Sequence, residues 1–182
     1  MNNEFKAEHL HITAFAQSGG RHAGEERLAR FNRLIEETQG VGGENWVTYA
    51  VQGEVRVDAA GVKEVWLHLA GQVTLPLICQ RCMGPVDTDV AFDREFRFVE
   101  TEELAAVEDE ESEEDVLVSS RDFNLLDLLE DELLMAMPSA PTHEVCPVPV
   151  KLYAADPDFD ASAAPAPNPF AVLASLKKNS TP

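Results

Sequence analysis

Positive charge is scarce in this chain. Only 14 of its 182 residues are lysine or arginine, against 33 aspartates and glutamates, and the formal net charge is -19. A surface of that sign repels phosphate polyanions over a Debye length of ~8 Å at physiological salt. Broad, non-specific nucleic-acid binding is therefore excluded, whereas basic protein partners are steered inward. Cysteine is also sparse. Three cysteines do not make a disulfide framework, and they fit a reducing, cytoplasmic setting. No stretch approaches the ~20 apolar residues of a membrane helix. The opening Met1-Asn2-Asn3-Glu4-Phe5 has no basic region leading into an apolar run, so no secretory signal is expected. Catalytic motifs are missing too. Gly40-Val41-Gly42-Gly43 precedes a strand pattern and lacks a following Lys-Ser/Thr, and no Gly-x-Ser-x-Gly occurs. No constellation for catalysis emerges, and a non-enzymatic protein is expected.

Apolar patterning, by contrast, is well developed, with 45% hydrophobic residues. Val47, Tyr49, Val51, Val55 and Val57 alternate with polar residues. After a turn at residues 58–61, Val65, Leu67, Leu69, Val73 and Leu75 do the same. The pair predicts a long antiparallel hairpin. Gly53 and Gly71 suggest bends or bulges within it, and His68 falls on the polar phase as a surface histidine. Beyond Leu75 lies Cys79-Gln80-Arg81-Cys82, after which the apolar phase changes parity: Val86, Val90, Phe92, Phe96 and Phe98. That change suggests a strand bulged or restarted at the cysteine turn, with Arg94, on the apolar phase, marking an edge or a further bulge.

Earlier in the chain, residues 9–16 alternate weakly and read as a first strand, broken at Gly19-Gly20. Residues 25–38 read as a helix with Leu28, Phe31, Leu34 and Ile35 as its stripe. Arg27, Arg30 and Arg33 then fan over its exposed side, with Arg21 just before. This cluster reads either as a solvated face paired with Glu26, Glu36 and Glu37 or as a local nucleic-acid contact. Residues 101–115 are acidic without a single lysine or arginine, which predicts a mobile loop with a helical turn at 102–107. Residues 116–118 suggest a short strand. Residues 123–137 form the clearest helix, with Phe123, Leu126, Leu129, Leu133 and Met137 on one face. Leu125, Leu128 and Leu134 widen that face, Asp127, Glu130 and Asp131 lie outside it, Asp122 is the expected N-cap, and Pro138 ends the helix.

Residues 154–167 collapse to Ala, Asp, Ser and Pro, the composition of a disordered linker. Residues 168–178 then read as a short capped helix carrying Phe170, Val172, Leu173 and Leu176, followed by Lys177 and Lys178. A helix of ~10 residues is marginal alone in water. It needs a docking surface, either on its own domain or on a partner, and partner docking suits the two lysines.

The cysteines leave alternatives open. Cys79, Cys82, His143 and Cys146 supply the donor set of a closed structural zinc site. The long insert between the two halves adds little closure entropy. The other reading is a set of reduced thiols at a strand corner. A redox Cys-x-x-Cys fits worst, because that chemistry acts from a helix N-terminus.

Three pieces together resemble one family. They are Cys79-Gln80-Arg81-Cys82, the run Leu129-Glu130-Asp131-Glu132-Leu133-Leu134-Met135-Ala136-Met137-Pro138 with Pro141-Thr142-His143, and the closing Pro167-Asn168-Pro169-Phe170-Ala171-Val172-Leu173-Ala174-Ser175-Leu176-Lys177. In order and spacing they resemble the YceD family of large ribosomal RNA subunit accumulation proteins, from Leu75 to the C-terminus. The resemblance implies a role in the synthesis, processing or stability of 23S rRNA, and no established catalytic residues. Contact with 23S rRNA or its precursor is then either direct or through ribosomal proteins or processing factors. The rival function is an acidic adaptor for a nuclease or a basic ribosomal protein, without RNA contact of its own. The expected fold is α+β: a bent antiparallel sheet or partly closed barrel covered by helices over residues 1–153, followed by the linker and terminal helix.

Overall fold

The long hairpin forms as its alternation requires. In the computed structural model, β2 (Trp46–Val57) and β3 (Lys63–Ile78) pair antiparallel from Thr48↔Gln72 to Val57↔Lys63. The structure describes residues 6–110, 112, 114–150, 154–156 and 170. The chain divides into two units, Met1–Pro149 and Val150–Pro182. All the elements below belong to the first. In the second, residues 154–156 and Phe170 are exposed, and the predicted terminal-helix residues Val172, Leu173, Leu176, Lys177 and Lys178 lie outside the described residues.

β4 (Pro85–Val99) continues the antiparallel pairing from Ile78↔Pro85 to Val65↔Phe98 without interruption. The expected bulge is absent among these pairs. Odd residues of β3 face even residues of β4 because the tight turn between the strands sets an odd-sum register. The parity change is thus ordinary hairpin geometry. The β2–β3 register is equally unbroken, so Gly53 and Gly71 are not bulges either. They are places of close approach. A Cβ on Gly53 would lie 2.6 Å from the Phe15 ring and 2.9 Å from the Ala16 Cα, and one on Gly71 would lie 2.5 Å from Leu129.

The first part of the chain departs most from expectation. Residues 9–16 do not form a strand. Leu10 makes only an isolated bridge to Phe123, and α1 (Ile12–Gln17) follows. Ile12 and Ala16, four apart, are the buried pair, so the helical period prevails over the alternation. Gly19, at φ +62, ends this helix. Nor is 25–38 one helix. β1 (Arg21–Arg27) pairs antiparallel with β2, a single 3-10 turn spans Leu28–Arg30, and α2 covers Asn32–Glu37. Leu28, Phe31 and Leu34 are all buried, as their three-residue spacing suggested, but through two short turns.

At the other edge, α3 (Glu102–Asp109) crosses over to β5 (Asp115–Val118), which lies parallel to β4. Among the described residues the sheet is therefore five-stranded, mixed, ordered β1-β2-β3-β4-β5 and open. Of the two expected forms, a bent sheet or a partly closed barrel, the open sheet is the one found, with β5 parallel to its neighbour, and α+β is the class. The acidic stretch carries a full helix where one turn was expected, because its partner comes from outside. Arg97, buried on β4, bonds Glu108, Ser112 (2.8 Å) and Glu114 (3.3 Å).

α4 (Leu125–Ala136) lays Leu125, Leu126, Leu129 and Leu133 on the face of the sheet that carries Leu67, Leu69, Val73 and Phe96. Asn124, not Asp122, caps it, accepting from the Leu126 N–H at 3.1 Å; Asp122 instead meets His9 at 2.6 Å. Glu130, expected on the outside, is 7% exposed, and its carboxylate takes the backbone N–H groups of Arg33 (2.8 Å) and Leu34 (3.2 Å) at the start of α2. Glu132 is buried as well and pairs at 3.1 Å with Arg94, which explains an arginine on the apolar phase without an edge or a bulge. No described helix is long and apolar enough to cross a membrane.

Candidate metal centre and the other predicted binding residues

The β3–β4 turn is built to present sulfur. The Cys79 N–H donates to the Gly84 carbonyl (2.8 Å), and the Met83 N–H donates to the Cys79 carbonyl (2.9 Å), with Met83 at φ +60. These bonds curl Cys79-Gln80-Arg81-Cys82 into a loop with both side chains on one side. The second half arrives from beyond α4. Pro138 releases the helix, and the segment after it is fastened to the turn by the Gln80 N–H bonding the Pro141 carbonyl at 2.8 Å. The Arg81 guanidinium donates to the carbonyls of His143 and Glu144. His143 and Cys146 are thereby brought against the two cysteines.

One ligand atom from each of Cys79, Cys82, His143 and Cys146 lies within 4.8 Å of the others. The Cys79 and Cys146 sulfurs are 3.9 Å apart, and the Cys82 sulfur is 3.4 Å from His143 Nδ1. Zinc–sulfur bonds of about 2.3 Å and zinc–nitrogen bonds of about 2.0 Å imply tetrahedral edges of roughly 3.8 Å and 3.5 Å. Those two of the six separations match tetrahedral edges, and the donor set, thiols plus one imidazole with no carboxylate, is of the kind that structural zinc takes. The electrostatics of Cys79 and Cys146 differ. Burial of Cys79 works against its thiolate, but the N–H groups of His143, Cys82 and Arg81 converge on the sulfur and hold its pKa down to about 5. Cys146 is pushed up by burial and by the neighbouring thiols of Cys82 and Cys79, while Arg81 acts the other way.

The four arginines singled out from sequence do not share a helix face. Arg21 and Arg27 sit on β1, Arg30 in the 3-10 turn and Arg33 on α2. Arg30 pairs with Glu8 and with Glu26 (2.8 Å), and Arg33 with Asp131 and Glu130 (3.0 Å). Arg27 bonds the Glu44 carbonyl and stacks 3.5 Å over the Trp46 ring. Arg21 lies exposed on the open face of the sheet edge. His68 is on that face as expected, 2.5 Å from Asp93. The sequence reading missed Glu130, Glu132 and Arg97, all charged, buried and joined to partners far away in the chain. The only local signal was Arg94 on an apolar phase.

Residues 67–177 match the family model described as Large ribosomal RNA subunit accumulation protein YceD. No solved structure matches the chain.

Proposed function

The chain belongs to the YceD family, and from that premise we propose that it is a non-enzymatic accessory factor in the synthesis, processing or stability of 23S rRNA during large-subunit assembly, acting in the cytoplasm. The family name ties the chain to large-subunit rRNA accumulation, and this match over residues 67–177 is the observation that carries the proposal. In this reading Cys79, Cys82, His143 and Cys146 hold a structural zinc ion. The ion locks the segment after α4 to the β3–β4 corner, and Arg81 offsets the negative charge that three thiolates and one imidazole leave on a divalent ion. Depletion of the protein should lower 23S rRNA relative to 16S rRNA. An unchanged ratio, at confirmed depletion, would reject the role.

A second reading has its own support. Arg30 and Arg33 are engaged in internal ion pairs, and the chain carries -19 overall. This favours an adaptor that binds a basic protein and does not itself contact RNA. Titration of purified protein with a fragment of precursor 23S rRNA separates the two readings. Direct contact should weaken on changing Arg21, Arg27, Arg30 and Arg33 to alanine. The slope of log affinity against log salt should then fall by about 0.7 for each single-strand phosphate that is no longer neutralised. An adaptor shows no such affinity.

A further inference from the structure

The two faces of the sheet are treated differently. One carries the core under α1, α2 and α4. Among the described residues, the other is covered by α3 only at the corner of Arg97 and Val116. Across the remainder, the strand register aligns side chains in rows. Ala23, Ala50, Ala70 and Asp93 are successive partners across β1–β4, and Glu25, Thr48, Gln72 and Ala91 form the next row. Such rows lie ~7 Å apart along a strand. The taller side chains of Gln52 and His68 stand on one side of them, and those of Trp46 and Asp89 on the other. Ala23, Ala50, Ala70 and Ala91 are the short members of these two rows and leave a shallow trench across the strands, with Glu25, Gln72 and Asp93 rising from it. Two adjoining cavities of about 370 and 390 Å³ occupy it, sharing Thr48, Gln72 and Ala91. Its floor is exposed at Ala50, Gln72 and Ala91, and Trp46 beside it is 45% exposed.

Charge identifies the occupant. Asp87, Asp89 and Asp93 lie exposed along β4 at one end of this trench. The Thr74 hydroxyl donates to Asp89 at 2.6 Å and His68 meets Asp93 at 2.5 Å, but no lysine or arginine among the described residues pairs with any of the three. Glu95, further along the strand, is by contrast satisfied by Arg56 at 2.5 Å. At this β4 end of the face, across the sheet from Arg21 and Arg27 on β1, RNA would be repelled, and so would a second copy of a chain carrying -19. A cationic polypeptide is attracted, and the small floor lets its backbone come close enough for Gln72 and Thr48 to hydrogen-bond it.

We propose that this open sheet face docks a lysine- and arginine-rich segment of a protein partner, seated on Ala50, Ala70 and Ala91 with its cations against Asp87, Asp89 and Asp93. The proposal deepens the adaptor reading by giving it a surface. It is tested in vitro, so its outcome is separate from any effect on rRNA levels. The probe is a 20-residue peptide alternating alanine with lysine or arginine, titrated into the full-length, isotope-labelled protein and followed by amide chemical shifts. The largest shifts should fall on Ala50, Ala70, Gln72 and Ala91. The double variant Asp89→Asn/Asp93→Asn should bind about tenfold more weakly, and Ala70→Arg, which fills and recharges the trench, should weaken binding further. The control Glu102→Gln/Glu103→Gln removes the same charge from α3 and should bind like the parent. Equal weakening by the control, shifts spread over other acidic surfaces, or no binding at low salt would each overturn the proposal. So would preferential binding of a 20-nucleotide RNA to the face, or its burial in a dimer on concentration.

Discussion

At the scale of single residues, two groups carry separable consequences. Cys79 and Cys146 come from opposite halves of the candidate centre. If both hold one ion, losing either ligand opens the same site. Cys79→Ser and Cys146→Ser should then lower the melting temperature by similar amounts, and the double variant by little more than either alone. Additive losses, together with metal-free protein when purified without chelator, would remove zinc from the account. Glu132 makes a pH argument. Burial raises its carboxyl pKa, with Arg94 opposing. A folded-state value above the ordinary 4.5 means that the native state takes up the proton first. The contribution to stability is therefore present at low pH and lost as pH rises through the folded value. The stability of the parent relative to Glu132→Gln should be greatest below pH 4.5 and decline as the pH rises through the raised folded-state value. Denaturant titrations of both proteins at several pH values check this, and a constant difference would show that Glu132 does not titrate abnormally.

At the scale of elements, the two strand glycines differ in what they allow. Gly53 faces the backbone of α1, with the Ala16 Cα at 2.9 Å and its N at 3.0 Å from an added Cβ. Gly71 faces side-chain ends of Leu129 and Phe92. A side-chain end can rotate away, whereas a helix backbone must move as a body. Gly53→Ala should cost about 2–3 kcal/mol and Gly71→Ala about 1 kcal/mol, the ordinary range of overpacking. Thermal or denaturant unfolding gives both values, and the reverse order would mean that α1 is loosely held. The same close approaches explain why these glycines look like bulges in the sequence. A missing side chain within an alternating strand is equally consistent with a distorted ladder and with a neighbour pressed against it, and only the packed helix distinguishes the two.

At the scale of the whole molecule, the sequence pattern of residues 168–178 is that of a short capped helix after a Pro/Ala/Asp-rich stretch, and Phe170, the one residue of it that is described, is 70% exposed. As a partner-binding motif, this segment contributes nothing to the stability of the isolated protein. Deleting residues 168–182 should leave the melting temperature unchanged and reduce association with large-subunit assembly particles. A fall in melting temperature, or undiminished association, would reject that role.

The sequence by itself determined what is local or periodic. The alternation of Val47–Leu75 residues specified β2 and β3, the leucine spacing specified α4, and Cys-x-x-Cys placed two of the four clustered cysteine and histidine side chains on a tight turn, because side-chain period and turn chemistry act within a few residues. Tertiary structure decided whatever depends on a partner far along the chain. Arg21–Arg27 became a strand although it carries no apolar alternation, since the free edge of β2 satisfies its backbone. Ile12–Gln17 became a helix, with Ile12 and Ala16 buried on one side of it. The acidic crossover folds because Arg97 reaches it. His143 and Cys146 meet the cysteine turn because Pro141 and Arg81 bind that segment to it. Except in α1, the deciding hydrogen bond, ion pair or contact joins residues that belong to different elements of the chain.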